Sequence, residues 1–117
     1  MKKAQELLIK VTELFETTLD EAAMRRHDYC NNDYKSSLDT FKIKLSGLGL
    51  KYGQCYHANG IGNNNEYPIL WVTEDEDGFK VEKKVCTFNY VLGIYGGVSA
   101  CIVDNDGNVV ASKGRAR

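Results

Sequence analysis

Apolar residues recur at steps of three and four along the first part of the chain: Ala4, Leu7, Leu8, Val11, Leu14, Phe15, Leu19 and Ala22. This periodicity is one face of an amphipathic helix, and it predicts a long helix from Lys3 to about Tyr29. Glu13, Glu16, Asp20 and Arg25 fall on the opposite, water-facing side. The apolar stripe calls for burial against a core or against another copy of the same helix. "CNNDY" then breaks the pattern, because paired asparagines favour a turn and Asp33 is suited to cap a new helix. Tyr34, Leu38, Phe41, Leu45 and Leu48 again step by threes and fours, predicting a shorter second helix that loosens at Gly47 and Gly49.

From there the pattern changes. "KYGQCYHANGIGNNNEYP" is rich in Gly and Asn, is closed by the chain's single proline, Pro68, and reads as a loop. "ILWVTE", "FKVEKKVCTFNYVL" and "VSACIVDNDGNVVAS" are rich in β-branched and aromatic residues and read as strands. "EDEDGF" and "DNDGNV" each place Asp-Gly between apolar runs, the local signal of a hairpin, and "GIYGG" makes the remaining connection. The expected architecture is α+β: a long N-terminal helix and a second, shorter one, then an antiparallel sheet of four to five strands. Neither an internal repeat nor a linker divides residues 1–117, so a single domain is expected.

Composition supports this outline and narrows function. The 117 residues are 43% hydrophobic and 26% charged, with a formal net charge of −1, which is ordinary for a globular protein and is not the basic balance of a nucleic-acid polymer binder. No apolar run approaches the roughly 20 residues needed to cross a bilayer, so a cytoplasmic protein is expected. Cys30, Cys55, Cys86 and Cys101 are separated by 25, 31 and 15 positions; with no CxxC among them they read as free thiols.

Several constellations bear on chemistry. His27 with Cys30, and Cys55 with His57, would supply two thiolates and two imidazoles for a tetrahedral zinc if the loop folded onto the helix end. Structural zinc sites use tighter and more regular spacings, so two polar histidines and two ordinary thiols are preferred and no metal is expected. Cys55 and His57 also suggest a nucleophilic thiol, but no third group orients the imidazole and no oxyanion donors are specified. Glu74, Asp75, Glu76 and Asp77 precede a glycine and read as a solvated turn; "DNDGN" lacks the remaining ligands of a calcium loop. "NGIGNNN" and "GIYGG" match no nucleotide fingerprint, although glycine-rich backbone can still form an anion-binding nest. No catalytic residues and no cofactor are expected.

Seven tyrosines, four phenylalanines and one tryptophan lie among polar loops and scattered arginines. Aromatic faces stack on a base, asparagine can pair with an adenine edge, and arginine grips a pyrophosphate. Most such aromatics belong to cores, so the combination rather than any single residue points to a flat, charged ligand.

In length, in its long N-terminal helix followed by a strand-rich half, and in Phe79 standing ten residues before Asn89 in "FKVEKKVCTFN" with Arg25 on the first helix, the chain resembles the first family of Thoeris anti-defence proteins. These are phage-encoded sponges that sequester cyclic ADP-ribose signals. The resemblance implies a non-enzymatic protein of the host cell cytoplasm that removes cyclic ADP-ribose isomers, and for some members of the family cyclic oligonucleotides as well, before they reach an effector. It implies Phe79, Asn89 and Arg25 as ligand contacts, with Arg115 as a looser candidate, and assembly into dimers or higher homo-oligomers. On that reading residues 55–67 form a mobile wall over the nucleotide, with Asn63, Asn64, Asn65 or Tyr67 available to its polar edges. A protein–protein inhibitor, such as an anti-CRISPR that sets the acidic "TEDEDG" tip against a basic nuclease, is the alternative.

Overall fold

The computed structural model describes residues 2–19, 33–58, 63–92 and 98–114. Two helices, α1 (Lys2–Thr18) and α2 (Asp33–Gly47), precede six strands: β1 (Leu50–Tyr52), β2 (Tyr56–Ala58), β3 (Asn63–Glu74), β4 (Lys80–Leu92), β5 (Val98–Val103) and β6 (Val109–Gly114). The strands form one antiparallel sheet in the order β1-β3-β4-β5-β6, with β2 also paired to β3. The α+β plan expected from the pattern is the plan of the structure. The sheet is five strands wide, because β1 and β2 share one edge of β3.

α1 ends at Thr18, with Leu19 in a bend whose amide still donates to the Phe15 carbonyl. The part of the expected long helix that covers residues 20–29 lies outside the described residues. The stripe of α1 behaves as the periodicity requires: Leu7, Val11, Phe15 and Leu19 are buried at steps of four. From α2, Phe41 and Leu45 join them, while Ile43 on the far side stays exposed. α1 lies against α2, β4 and β6.

The sheet face beneath the helices carries Ile69 from β3, Cys86 and Phe88 from β4, and Ala100 and Ile102 from β5, all buried. Between Ile69 and Leu70 the β3–β4 register slips, so that Ile69 faces Cys86 while Leu70 faces Lys84. Val85 is left as the extra residue of a bulge, and both Val85 and Cys86 are buried as a result. Phe88 is the hub of the aromatic packing. Its ring centroid lies 6.3 Å from that of Phe15, 5.1 Å from Phe41 and 5.8 Å from Tyr52, within the range of favourable edge and offset contacts.

The stretch expected to be a loop differs most from its sequence reading. Much of it is paired: Tyr56, His57 and Ala58 of β2 face Glu66, Asn65 and Asn64 of β3. Glycine and asparagine mark weak strands as well as turns, and here cross-strand pairing overrides local propensity. Pro68, expected to close the loop, lies inside β3 opposite Thr87. Its carbonyl accepts from the Gly53 amide at 2.7 Å. In an antiparallel strand a residue's N–H and C=O point to the same side, so the missing N–H of Pro68 falls on the β1/β2 edge. There the edge strand is interrupted at residues 53–55, while on the other side Pro68 keeps its pairing with Thr87 of β4.

Both Asp-Gly turns form as the sequence predicts, and they are built alike. Asp75 Oδ1 accepts from the amides of Asp77 and Phe79, and Asp104 Oδ1 accepts from those of Asp106 and Asn108. Gly78 and Gly107 take φ of 84° and 88°, the left-handed region that favours glycine.

One contact joins the ends of the chain. α1 has no basic residue in its last turn, so no cationic side chain of its own complements the negative end of its dipole. Lys113 of β6 does so from across the fold: its Nζ donates to the carbonyls of Glu16 and, at 3.1 Å, of Leu19.

Two substitutions test these constraints. Lys113→Met keeps the aliphatic stem and removes the ammonium, and should lower unfolding free energy by about 0.5–2 kcal/mol in urea titrations; an unchanged midpoint would show that water serves the helix end as well. At Gly53 an added Cβ would meet Pro68 Cγ at 2.8 Å and Leu70 Cδ1 at 2.9 Å. Gly53→Ala should therefore destabilise by about 1–3 kcal/mol, whereas a neutral result would show that the edge segment shifts freely.

Candidate functional site

A cleft of about 200 Å³ opens between α2 and the sheet, lined by Leu38, Asp39, Lys42, Tyr52, Tyr67, Phe88 and Tyr90. The fold builds it from the constraints already described. α2 presents Asp39 and Lys42 at a spacing of three, which places them on neighbouring positions of one helix face. β1 carries Tyr52, and β3 and β4 carry Tyr67 opposite Phe88.

The cleft wall is an aromatic stack. The rings of Tyr52 and Tyr67 lie 4.8 Å apart at 26°, and Tyr52 and Phe88 are nearly parallel at 10°. Lys42 Nζ stands 5.6 Å from the centre of the Tyr52 ring, a cation–π distance. Burial, followed by the proximity of Tyr67 and Asp39, holds the Tyr52 phenol above its ordinary range. The Tyr67 phenol is raised as well, by burial and then by a hydrogen bond with Cys55. Both phenols are therefore neutral at physiological pH and keep a proton to donate.

Beside this wall, the Cys55 thiol lies 4.0 Å from Asn65 Oδ1, and Asn65 Nδ2 donates to the Tyr90 carbonyl at 3.5 Å. Asn65 is buried, and these two long contacts tie the back of the cleft to the β2 edge. The thiol's described neighbours are an amide oxygen and a phenol. The imidazole of His57 lies outside the described residues, as do His27 and Cys30. Among the described residues no group of three or more His, Cys, Asp or Glu side chains could hold a metal ion. The carboxylates of Asp75 and Asp104 are engaged by their own turns, and the backbone amide of Asn108 above all holds Asp104 below the usual carboxylate range.

Of the expected ligand contacts, Phe79, Asn89 and Tyr67, whose side chains are described, do not converge within one chain. Tyr67 lines the cleft. Asn89 faces Glu66 and Cys101 in the sheet, and strand alternation puts it on the side opposite Phe88 and Tyr90, away from the helices. Phe79 is 69% exposed beside the β3–β4 turn, nearly the whole of β4 away from Asn89, or about 30 Å along an extended strand. The backbone of Asn64 pairs with Ala58 and Val91. Arg25, Arg115 and the side chains of Asn63 and Asn64 lie outside the described residues. The expected mobile wall over the ligand is, for Tyr56–Ala58 and Asn63–Tyr67, a pair of hydrogen-bonded strands.

The sequence reading missed Tyr52, Tyr90, Asp39 and Lys42. A signal existed for the last two, since Asp39 and Lys42 flank the apolar stripe of α2 at Leu38 and Phe41. For the tyrosines it did not, because nothing local in "LKY" or "FNYVL" says which face of the sheet will be left partly open. No helix among the described residues is long and apolar enough to cross a membrane. No protein-family model, curated protein or solved structure matches the chain.

The thiols and phenols of this half of the protein set an alkaline limit. Burial pushes the Cys86 thiol up to about 12 from 9.0, and Tyr52 is shifted in the same direction. An acid whose folded pKa is raised keeps its proton after the unfolded chain has lost it, so stability is full below the unfolded value and falls as pH rises. Urea midpoints should hold to about pH 9 and then decline towards pH 12, with Cys86 contributing a few kcal/mol. Cys86→Ala should delay the decline to the range where tyrosine titrates; an identical alkaline limb in both proteins would remove Cys86 as its cause.

Proposed function

We propose that this protein is a non-catalytic binder that sequesters a flat, anionic nucleotide of the cyclic ADP-ribose class, with the cleft between α2 and the sheet as its point of attachment. The observation that carries this reading is the Tyr52–Tyr67 stack with Lys42 beside it. Aromatic faces accept a base through stacking, typically worth about 1–3 kcal/mol per base, and an ammonium at the rim attracts a phosphate. The family resemblance supplies the class of ligand. Tyr67, one of the residues expected to meet the polar edges of the nucleotide, lines the cleft.

Size adds a condition. Pockets that enclose drug-sized ligands measure about 300–1,000 Å³, and the cleft of about 200 Å³ covers only part of such a nucleotide. A sponge needs nanomolar affinity or better, near −12 kcal/mol, which requires a well-enclosed ligand. The reading therefore includes assembly of two or more copies, or closure by further parts of the chain, to complete the enclosure.

A second reading has its own observation. Pro68, Leu70, Val72, Val91 and Val103 are half-buried on the face away from α1 and α2, and Phe79 is exposed near the acidic turn. Such a surface suits a protein partner, as in an inhibitor of a basic nuclease.

Incubation with cyclic ADP-ribose isomers, removal of free ligand and heat denaturation of the protein separate these readings. Intact nucleotide released from the denatured protein is the expected result, with uptake weakened about tenfold or more by Tyr67→Ala. A chemically altered nucleotide would identify an enzyme, and no depletion of the nucleotide would favour the protein-directed inhibitor.

A further inference from the structure

Asp39 is the carboxylate of a cleft proposed to hold an anionic ligand, and its position calls for a different role from that of Lys42. The two residues lie one helical turn apart on α2, so the cleft carries a negative and a positive rim beside a wall of aromatic rings. A ligand that suits both rims must be dipolar. It presents a flat ring to the tyrosines, an anionic group to Lys42 and a hydrogen-bond donor to Asp39.

We infer that Asp39 is a specificity-determining residue, which accepts a hydrogen bond from an exocyclic amine on a heteroaromatic ring held in the cleft and thereby selects an aminated nucleobase over its oxo counterpart. This rests on the reading of the cleft as the binding site. An ionised carboxylate is an acceptor only. A ring that offers a carbonyl in place of the amine sets acceptor against acceptor, and this is the mismatch that a hydrogen-bonding site rejects most strongly. The Tyr67 phenol is engaged with Cys55, and the phenol of Tyr52 retains a donor proton that can serve a ring nitrogen, which leaves the amine to the carboxylate. The cleft volume suits this assignment: about 200 Å³ accommodates one heteroaromatic ring with its sugar rather than a complete dinucleotide.

Adenosine 5′-monophosphate and inosine 5′-monophosphate are the probes, since they exchange an amine for a carbonyl on the same purine. Titrations followed by NMR shifts of α2 amides should show adenosine monophosphate binding at least about tenfold more tightly to the unaltered protein. Asp39→Asn, in which the side chain both donates and accepts, should bring the two nucleotides close to parity. Equal affinities in the unaltered protein, an unchanged preference in the variant, or no mononucleotide binding at α2 would each overturn the inference. Retention of cyclic ADP-ribose by the same preparations reports separately on the sequestration reading, so selectivity can fail while sequestration stands. If the variant loses helicity by circular dichroism, Asp39→Glu replaces it: a displaced carboxylate should reduce the preference without abolishing the fold, and full retention of the preference counts against the inference.

Discussion

The packing of Phe88 against three separate elements is the constraint on which the fold depends. Its ring meets Phe15 of α1, Phe41 of α2 and Tyr52 of β1, so a single strand position fixes both helices and the sheet edge relative to one another. Truncating such a residue typically costs about 3–5 kcal/mol, a large part of the stability of a domain this size. The same ring continues outward through Tyr52 to Tyr67. The cleft wall is thus an extension of the core, held at core precision, and not a set of side chains on an independent loop.

Pro68 shapes the other side of that wall. Because it cannot donate towards the β1/β2 edge, the edge strand is broken there: the Gly53 amide still donates to the Pro68 carbonyl, and the chain then leaves the ladder until Tyr56. Gly53 makes the crossing possible where a Cβ would collide with Pro68 and Leu70. The break allows Cys55 to approach Asn65 and Tyr67. A residue that reads as the end of a loop is in fact the reason that one edge strand is divided into two.

The two kinds of period in the sequence carry most of the architecture. Leu7, Val11, Phe15 and Leu19 announce their buried face because a helix repeats its environment every three to four residues, and the Asp-Gly pairs announce their hairpins because few other residues accept a positive φ. Tyr56–Ala58 and Asn63–Tyr67 mislead because glycine and asparagine report the absence of strand preference, while strand formation there is decided by pairing with each other and, for Asn63–Tyr67, with β4. Phe79 and Asn89 stand close together only along the sequence. In a strand, ten residues are a long distance, and only the register shows that Asn89 turns away from the helices whereas Tyr90, its neighbour, lines the cleft. Tertiary apposition of this kind has no local signature, which is why Asp39, Lys42 and Tyr52 become visible as a group only in the fold.

On the proposed reading, charge distinguishes the two faces of the sheet as hosts for an anion. On the face away from the helices, Asn89 lies between Glu66 and Cys101, and the Cys101 thiol is held protonated by burial and then by the carboxylate of Glu66. Lys51 could offset that charge, but it is engaged in an ion pair with Glu82. A phosphate approaching this row would meet a carboxylate and a neutral thiol. In the cleft, Lys42 stands over the Tyr52 ring, with Asp39 one turn away on the same helix, and exchanging a cation–π contact for a phosphate is electrostatically favourable, since a full negative charge attracts an ammonium more strongly than a ring quadrupole does. On the proposed reading, the Lys42 ammonium beside the aromatic wall is the feature that makes the α2 side of the sheet the better host for a planar anion.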